Sequence, residues 1–311
     1  MPGPDDAPRG QPDDLDVVAL IDVLDLIAPG AIVHGWERLD SGTTDLPVHR
    51  VDLTMPSGAE TSFVLRQFGP GDGDLALRVA ATLEGLRSTP VRAAELLWVD
   101  SDGAVFGRAA LATTYVTAAG GGSGDRTPVA LAEALVALQW VPADAVAHLP
   151  RLPTPADLVA WWSAPADSDD VAGWWEILAT AAGDIAPLTP VLVHGALGEE
   201  TVRMSGSEVA GFVDWRRAVV GDPRSDVAAL ALTLTLRDGT EVGDAFVAAY
   251  EALRGPTADR WWFDLLAAAT QGHTLVARAT TAGRGDEAAD RLAAWVERAL
   301  AGRPGPGASP T

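Results

Sequence analysis

The residues best suited to chemistry crowd into one stretch, Pro190 to Leu230. An apolar run ends at His194-Gly195, and an acidic loop with Glu199 and Glu200 follows. A strand-like segment, Val209 to Val213, then runs into Asp214-Trp215, and Gly221-Asp222-Pro223 opens a helix carrying Asp226. A carboxylate at the end of an apolar strand is expensive without a partner or an ion, so Asp214 is a candidate metal ligand. Asp222 and Asp226 suit a helix start, where carboxylates accept from exposed amides. A lone histidine after an apolar run is read as an organiser of its loop, and His194 takes that role. Far upstream, Arg66 ends the segment Phe63-Val64-Leu65-Arg66. Its guanidinium can grip phosphate with two parallel bonds, or it can point into solvent from an edge strand.

The elements that must position these groups fall into two kinds. Leu15 to Ile27 repeats apolar residues at helical spacing until Pro29-Gly30 stops it. Strand-like segments follow at 31–39, 47–55 and 61–68, separated by Ser41-Gly42-Thr43-Thr44 and Pro56-Ser57-Gly58, which predicts an antiparallel sheet. A helix at 75–86 and two more strands, 93–99 and 106–116, lead into the glycine-rich stretch Gly120 to Gly124, where a hinge is expected. Beyond it the chain reads as helical, over 128–140, 155–163, 170–183, 225–236, 241–253, 258–282 and 286–301. Trp pairs at 161–162, 174–175 and 261–262 read as core packing with one ring at each helix rim; an aromatic-lined ligand groove is the alternative. Residues 1–14 and 303–311 are composed as tails unable to bury enough apolar surface to order themselves.

Composition narrows the chemistry. The chain has no cysteine, so disulfides, thiolate metal sites and Cys nucleophiles are excluded. It contains neither lysine nor asparagine, and all 22 basic residues are arginine. With a net charge of −21 and no basic run, it would repel nucleic-acid backbones and acidic membrane surfaces. No apolar run is long enough to span a bilayer, and the acidic, proline-rich N-terminus lacks the features of a signal peptide, so a cytoplasmic protein is expected.

The order His-Gly, Val-Asp-Trp, Asp-Pro-x-x-Asp resembles the core of the aminoglycoside phosphotransferase and choline kinase family, small-molecule relatives of protein kinases. The resemblance implies an α+β, protein-kinase-like two-lobed fold, with an N-lobe over 15–118 and a helical C-lobe over 119–302 whose catalytic-loop region is 190–230. It also implies ATP with Mg²⁺, Asp214 as metal ligand, and Arg66 in place of the phosphate-contacting lysine. The family's base, the Asp of His-Gly-Asp-x-x-x-x-Asn, falls on Ala196, and its metal-binding Asn falls on Thr201. The acid that the following helix offers to the basic residue falls on Val79. Ser41-Gly42-Thr43-Thr44 lies where the family has its phosphate-covering loop, but with a single glycine the segment is read first as a plain hairpin turn. Three departures at one site, at Ala196, Thr201 and Arg66, lead to a catalytically impaired protein that works as a binding or partner subunit, with cofactor-binding candidates Arg66, Thr201 and Asp214. The alternative is an active ATP-dependent phosphotransferase on a hydroxyl of a small molecule or peptide, with Glu199 or Glu200 replacing the missing base.

Overall fold

A computed structural model describes residues 15–39, 46–117, 128–162 and 169–304. The expected phosphate-covering loop at 41–44, the glycine hinge at 120–124, the tail 1–14 and most of the tail 303–311 lie outside the described residues. Two compact units make up the chain. One is Met1–Thr117 together with Ala210–Arg216, and the other is Ala118–Val209 together with Arg217–Thr311.

In the first unit, Asp16 caps helix α1 (Val17–Ile27) by accepting from Val18 and Ala19 N–H at 3.0 and 3.2 Å. Strands β1 (Ile32–Arg38), β2 (Val48–Thr54) and β3 (Glu60–Gln67) follow, then helix α2 (Gly73–Leu86) and strands β4 (Leu96–Asp100) and β5 (Ala110–Thr114). They form a five-stranded antiparallel sheet in the order β1-β2-β3-β5-β4. The inward-facing Val51, Leu53, Phe63, Leu65, Ala110 and Ala112 pack against Leu20 and Leu24 of α1. That alternation is what a sheet with one covered face requires, and it fixes the register. β3 is the central strand, paired on both sides, with Arg66 opposite Val48 and Leu111. The edge-strand reading of Arg66 is therefore corrected, because hydrogen-bonded neighbours flank it on either side.

The second unit begins with α3 (Pro128–Gln139), β6 (Arg151–Leu152), α4 (Pro155–Trp162) and α5 (Asp169–Ala181). Strands β7 (Val191–Val193), β8 (Val202–Ser205) and β9 (Glu208–Phe212) come next, with β8 and β9 paired as a hairpin. Partway along β9 the chain crosses into the first unit, where Phe212 N–H donates to Arg92 carbonyl at 2.8 Å. It returns at Arg217, and β10 (Val219–Gly221) lies between β6 and β7. Helices α6 (Arg224–Asp238) and α7 (Thr240–Arg254) complete the centre, and eleven of the fifteen residues of α6 are buried, as befits a helix surrounded by others.

The continuous helix expected over 258–282 is instead divided into α8 (Arg260–Ala267), a π-helical turn at Ala268–Gly272 and α9 (His273–Thr281). Packing accounts for the break. Gly272 is pressed so closely on Leu292 of the last helix, α10 (Gly285–Ala301), that a Cβ would lie 2.9 Å from the leucine methyl, and Gln271 donates to the Ala229 carbonyl at 2.8 Å. Of the Trp pairs, Trp262 is wholly buried with its indole N–H on the Leu178 carbonyl, whereas Trp161 is largely exposed. No described helix is long and apolar enough to cross a membrane.

Candidate functional site

The candidate residues divide between the two units and are built by different means. In the second unit, β7 delivers His194 and Gly195 to the start of the 194–201 loop. Gly195 takes φ +75°, and a Cβ there would lie 2.3 Å from the Arg217 carbonyl oxygen, so only glycine fits. The backbone N–H groups of His194 and Gly195 donate to the two oxygens of Asp226, at 2.7 and 2.9 Å. Asp226 and His194 are both fully buried. Burial pushes the Asp226 carboxyl up to about 7 against the opposing pull of those two amides. Asp226 thus ties the loop to the first turn of α6.

The rest of the loop is closed by Thr201. Its hydroxyl donates to the Ala196 carbonyl at 2.8 Å and accepts from Gly198 N–H at 2.9 Å, so the side chain is built into the loop's own backbone. Ala196 brings no functional group. Of the two acids, Glu199 lies 3.6 Å from Arg237 on α6, and Glu200 lies 3.0 Å from Arg278 on α9. Burial opposes the charge on Arg237, but Asp238 and then Glu199 outweigh it and raise its pKa.

Next to this loop the motif Asp222-Pro-Arg224 forms a separate structural anchor. Arg224 grips Asp222 with Nε at 2.9 Å and Nη2 at 2.7 Å and donates further to the carbonyls of Ala186 and Ala258. Its guanidinium also lies 4.3 Å over the Phe263 ring. Both side chains are almost completely buried, at 2% and 1% exposure. Every donor direction of this pair is matched by an acceptor or an aromatic face, which is the condition under which a buried ion pair holds.

In the first unit, the returning segment Ala210–Arg216 places Asp214 beside Arg66. Asp214 adopts φ 67°, the left-handed region that few residues other than glycine enter. Arg216, two residues on, grips its carboxylate with Nε at 2.6 Å and Nη2 at 2.7 Å, and Arg66 Nη2 stands 3.4 Å from Oδ2. Arg66 and Asp214 thus lie side by side, with a third member that sequence reasoning missed. The sign was available, since Arg216-Arg217 directly follows Asp214-Trp215 in a chain whose every basic residue is arginine. The Asp-x-Arg spacing also recurs at 222–224. Val79 is buried in α2 and Glu84 pairs instead with Arg87 at 3.9 Å.

The profile of the phosphotransferase enzyme family, APH, matches residues 35–262. The chain belongs to this family. No curated protein matches the sequence. Among solved structures, a candidate aminoglycoside phosphotransferase of Ralstonia eutropha is 16% identical, with 93% of this chain and 99% of that chain aligned at a TM-score of 0.64. A thermostable mutant of the aminoglycoside phosphotransferase APH(4)-Ia, solved with AMP-PNP and hygromycin B, is 16% identical over 92% of this chain and 99% of that one, with a TM-score of 0.61. The macrolide 2'-phosphotransferase MphH of Brachybacterium faecium is 20% identical over 89% and 97%, with a TM-score of 0.58. These likenesses establish the kinase-like α+β fold.

A phosphotransferase of this fold implies a divalent cation and a nucleotide, and the donor set can be tested against both. For the cation the fit is poor. Both oxygens of Asp214 already accept from Arg216, Thr201 is bonded into its loop, Ala196 offers no ligand, and no cluster of three or more acidic or histidine side chains suited to a metal occurs among the described residues. Phosphate fits better, because two guanidinium groups face one carboxylate. Burial lowers the Arg66 pKa and Arg216 lowers it further, while Asp214 pulls the other way. For Arg216, burial is outweighed by the hydrogen bond and charge of Asp214, with a contribution from Asp72, and the pKa rises.

Proposed function

We propose that this member of the phosphotransferase family is catalytically impaired and works in the cytoplasm as a binding or partner subunit, retaining weak nucleotide binding. One observation carries the reading: position 196 has no carboxylate, and the two acids nearest in sequence, Glu199 and Glu200, are committed to Arg237 and Arg278. Without a base the attacking hydroxyl loses about 10²- to 10⁴-fold of rate, and both acids are engaged by arginines of other helices. AMP-PNP and GDP in the complexes of family relatives support a nucleotide as the retained ligand.

The test is phosphate transfer from ATP or GTP, with Mg²⁺, to a panel of aminoglycosides, macrolides, choline, sugars and peptides. No turnover above background is expected, and Ala196→Asp should add at most slow nucleotide hydrolysis, because base, metal ligands and phosphate clamp act as a unit. Transfer by the unmodified chain at about 1 s⁻¹, within the ordinary kinase range, would establish the active-enzyme alternative instead.

A further inference from the structure

We propose that Arg216 has taken the place of a divalent cation on Asp214, and that Arg66 and Arg216, yoked through that carboxylate, form a metal-independent receptor for the phosphate groups of a polyphosphate anion. The proposal rests on the retained-binding part of the reading above and specifies its chemistry.

Three observations carry it. First, the carboxylate's two oxygens are engaged by the two parallel donors of one guanidinium, at 2.6 and 2.7 Å, the arrangement in which arginine binds a carboxylate most strongly. A cation seeking Asp214 must share its oxygens with that fork and lie close to the guanidinium charge. Second, the side chains of Arg66, Asp214 and Arg216 are only 13% exposed, so an anion that reaches them meets two guanidinium groups largely out of water, where charge-assisted bonds are strongest. Third, Arg66 Nη1 is buried and has no hydrogen-bond acceptor among the described residues, while its Nη2 already leans on Asp214 at 3.4 Å. A phosphate oxygen supplies the acceptor and the charge at once, and a planar guanidinium is shaped to receive it.

The cause of the positive φ at Asp214 is consistent with this arrangement. The left-handed backbone turns the chain so that the side chain two residues on can fold back onto the carboxylate. Asp72, which precedes α2, also acts on Arg216 through its charge.

Isothermal titration of the full chain with ATP, tripolyphosphate and AMP, first in EDTA and then with excess Mg²⁺, tests the idea. ATP and tripolyphosphate should bind in EDTA, AMP at least about tenfold more weakly, and Mg²⁺ should leave the affinity unchanged or lower it by neutralising the oxygens the arginines seek. A nucleotide is the natural occupant if ATP binds more tightly than tripolyphosphate, and a free polyphosphate if the two bind alike; both support the receptor. Arg66→Gln should weaken ATP binding in EDTA roughly tenfold. Arg216→Gln should do the same and, by freeing Asp214, should make binding Mg²⁺-stimulated. Should Arg66→Gln disturb the sheet, Arg66→Lys keeps the charge, loses the fork and should still weaken binding several-fold. Binding that requires Mg²⁺ in the unmodified chain, AMP binding as tight as ATP, or no binding of any of the three overturns the proposal. Mg²⁺-dependent binding without transfer would sink the receptor and leave the impaired-catalysis reading intact. Metal-free binding alongside efficient transfer would do the reverse.

Discussion

Two pairs in this protein share one design and differ in consequence. Asp222/Arg224 and Asp214/Arg216 are both Asp-x-Arg, and both close the same two-bond fork, at 2.9 and 2.7 Å in the first and 2.6 and 2.7 Å in the second. Around Arg224, two backbone carbonyls, the Phe263 face and, at 3.5 Å, the Asp259 carboxylate complete the guanidinium's surroundings. Beside Arg216 stands a second guanidinium, Arg66, with a buried donor left over. The fork alone therefore does not say whether a pair is structural. What distinguishes the pairs is whether the neighbouring groups meet every buried donor or leave one over, as at Arg66 Nη1.

The comparison can be broken by removing each arginine. Arg224→Met leaves Asp222 charged at 1% exposure and should cost about 3–5 kcal/mol in denaturant unfolding. Arg216→Met should cost less, about 1–3 kcal/mol, because Arg66 remains next to Asp214. Equal costs would erase the distinction.

Asp264 sharpens the comparison as an intermediate case. Burial raises its carboxyl to about 6 against the pull of Arg260 and Arg298, and its bond from Arg260 Nε is 3.1 Å long. The native state keeps a proton that the unfolded chain releases near its ordinary value of 3.8, so this contribution to stability is complete below about pH 4 and is lost as pH rises through 6. Stability followed from pH 4 to 7 should fall on this account by about 2 kcal/mol, and Asp264→Asn should flatten the profile. A steeper fall in the variant would contradict the assignment.

Smaller still is the effect at the loop anchor. Asp226→Asn must turn an NH₂ toward one of two backbone N–H groups, leaving a buried donor unmet, at about 1–2 kcal/mol. Thr201→Val, which deletes the two loop bonds, should cost about 1 kcal/mol by thermal unfolding.

These pairs also mark where the sequence could be read and where it could not. Alternation in Phe63 and Leu65, and three- and four-residue spacing in the helices, gave the sheet and most helix bounds, because burial imposes those periods directly. Arg66 and Asp214 were each singled out from the resemblance, but their meeting depends on the detour of 210–216 into the first unit, which no local pattern encodes. Arg216 escaped notice because a motif names its own position and not the neighbour that folds back on it. Arg237 and Arg278 were beyond reach for a different reason: they arrive from α6 and α9, and nothing local to Glu199 or Glu200 encodes that encounter. The π-turn at 268–272 was hidden likewise, since its cause is Leu292 on another helix.

The detour of residues 210–216 into the first unit has a consequence for synthesis. When the ribosome has made the sheet up to Thr117, Arg66 already sits on its central strand, but the carboxylate that balances it is roughly a hundred residues away from being translated. At 5–20 residues per second that interval is about 5–20 s, during which the nascent sheet carries an uncompensated cation. The emerging chain must therefore wait for its own counter-ion, and the first unit cannot reach its final charge state until about half of the second has been made.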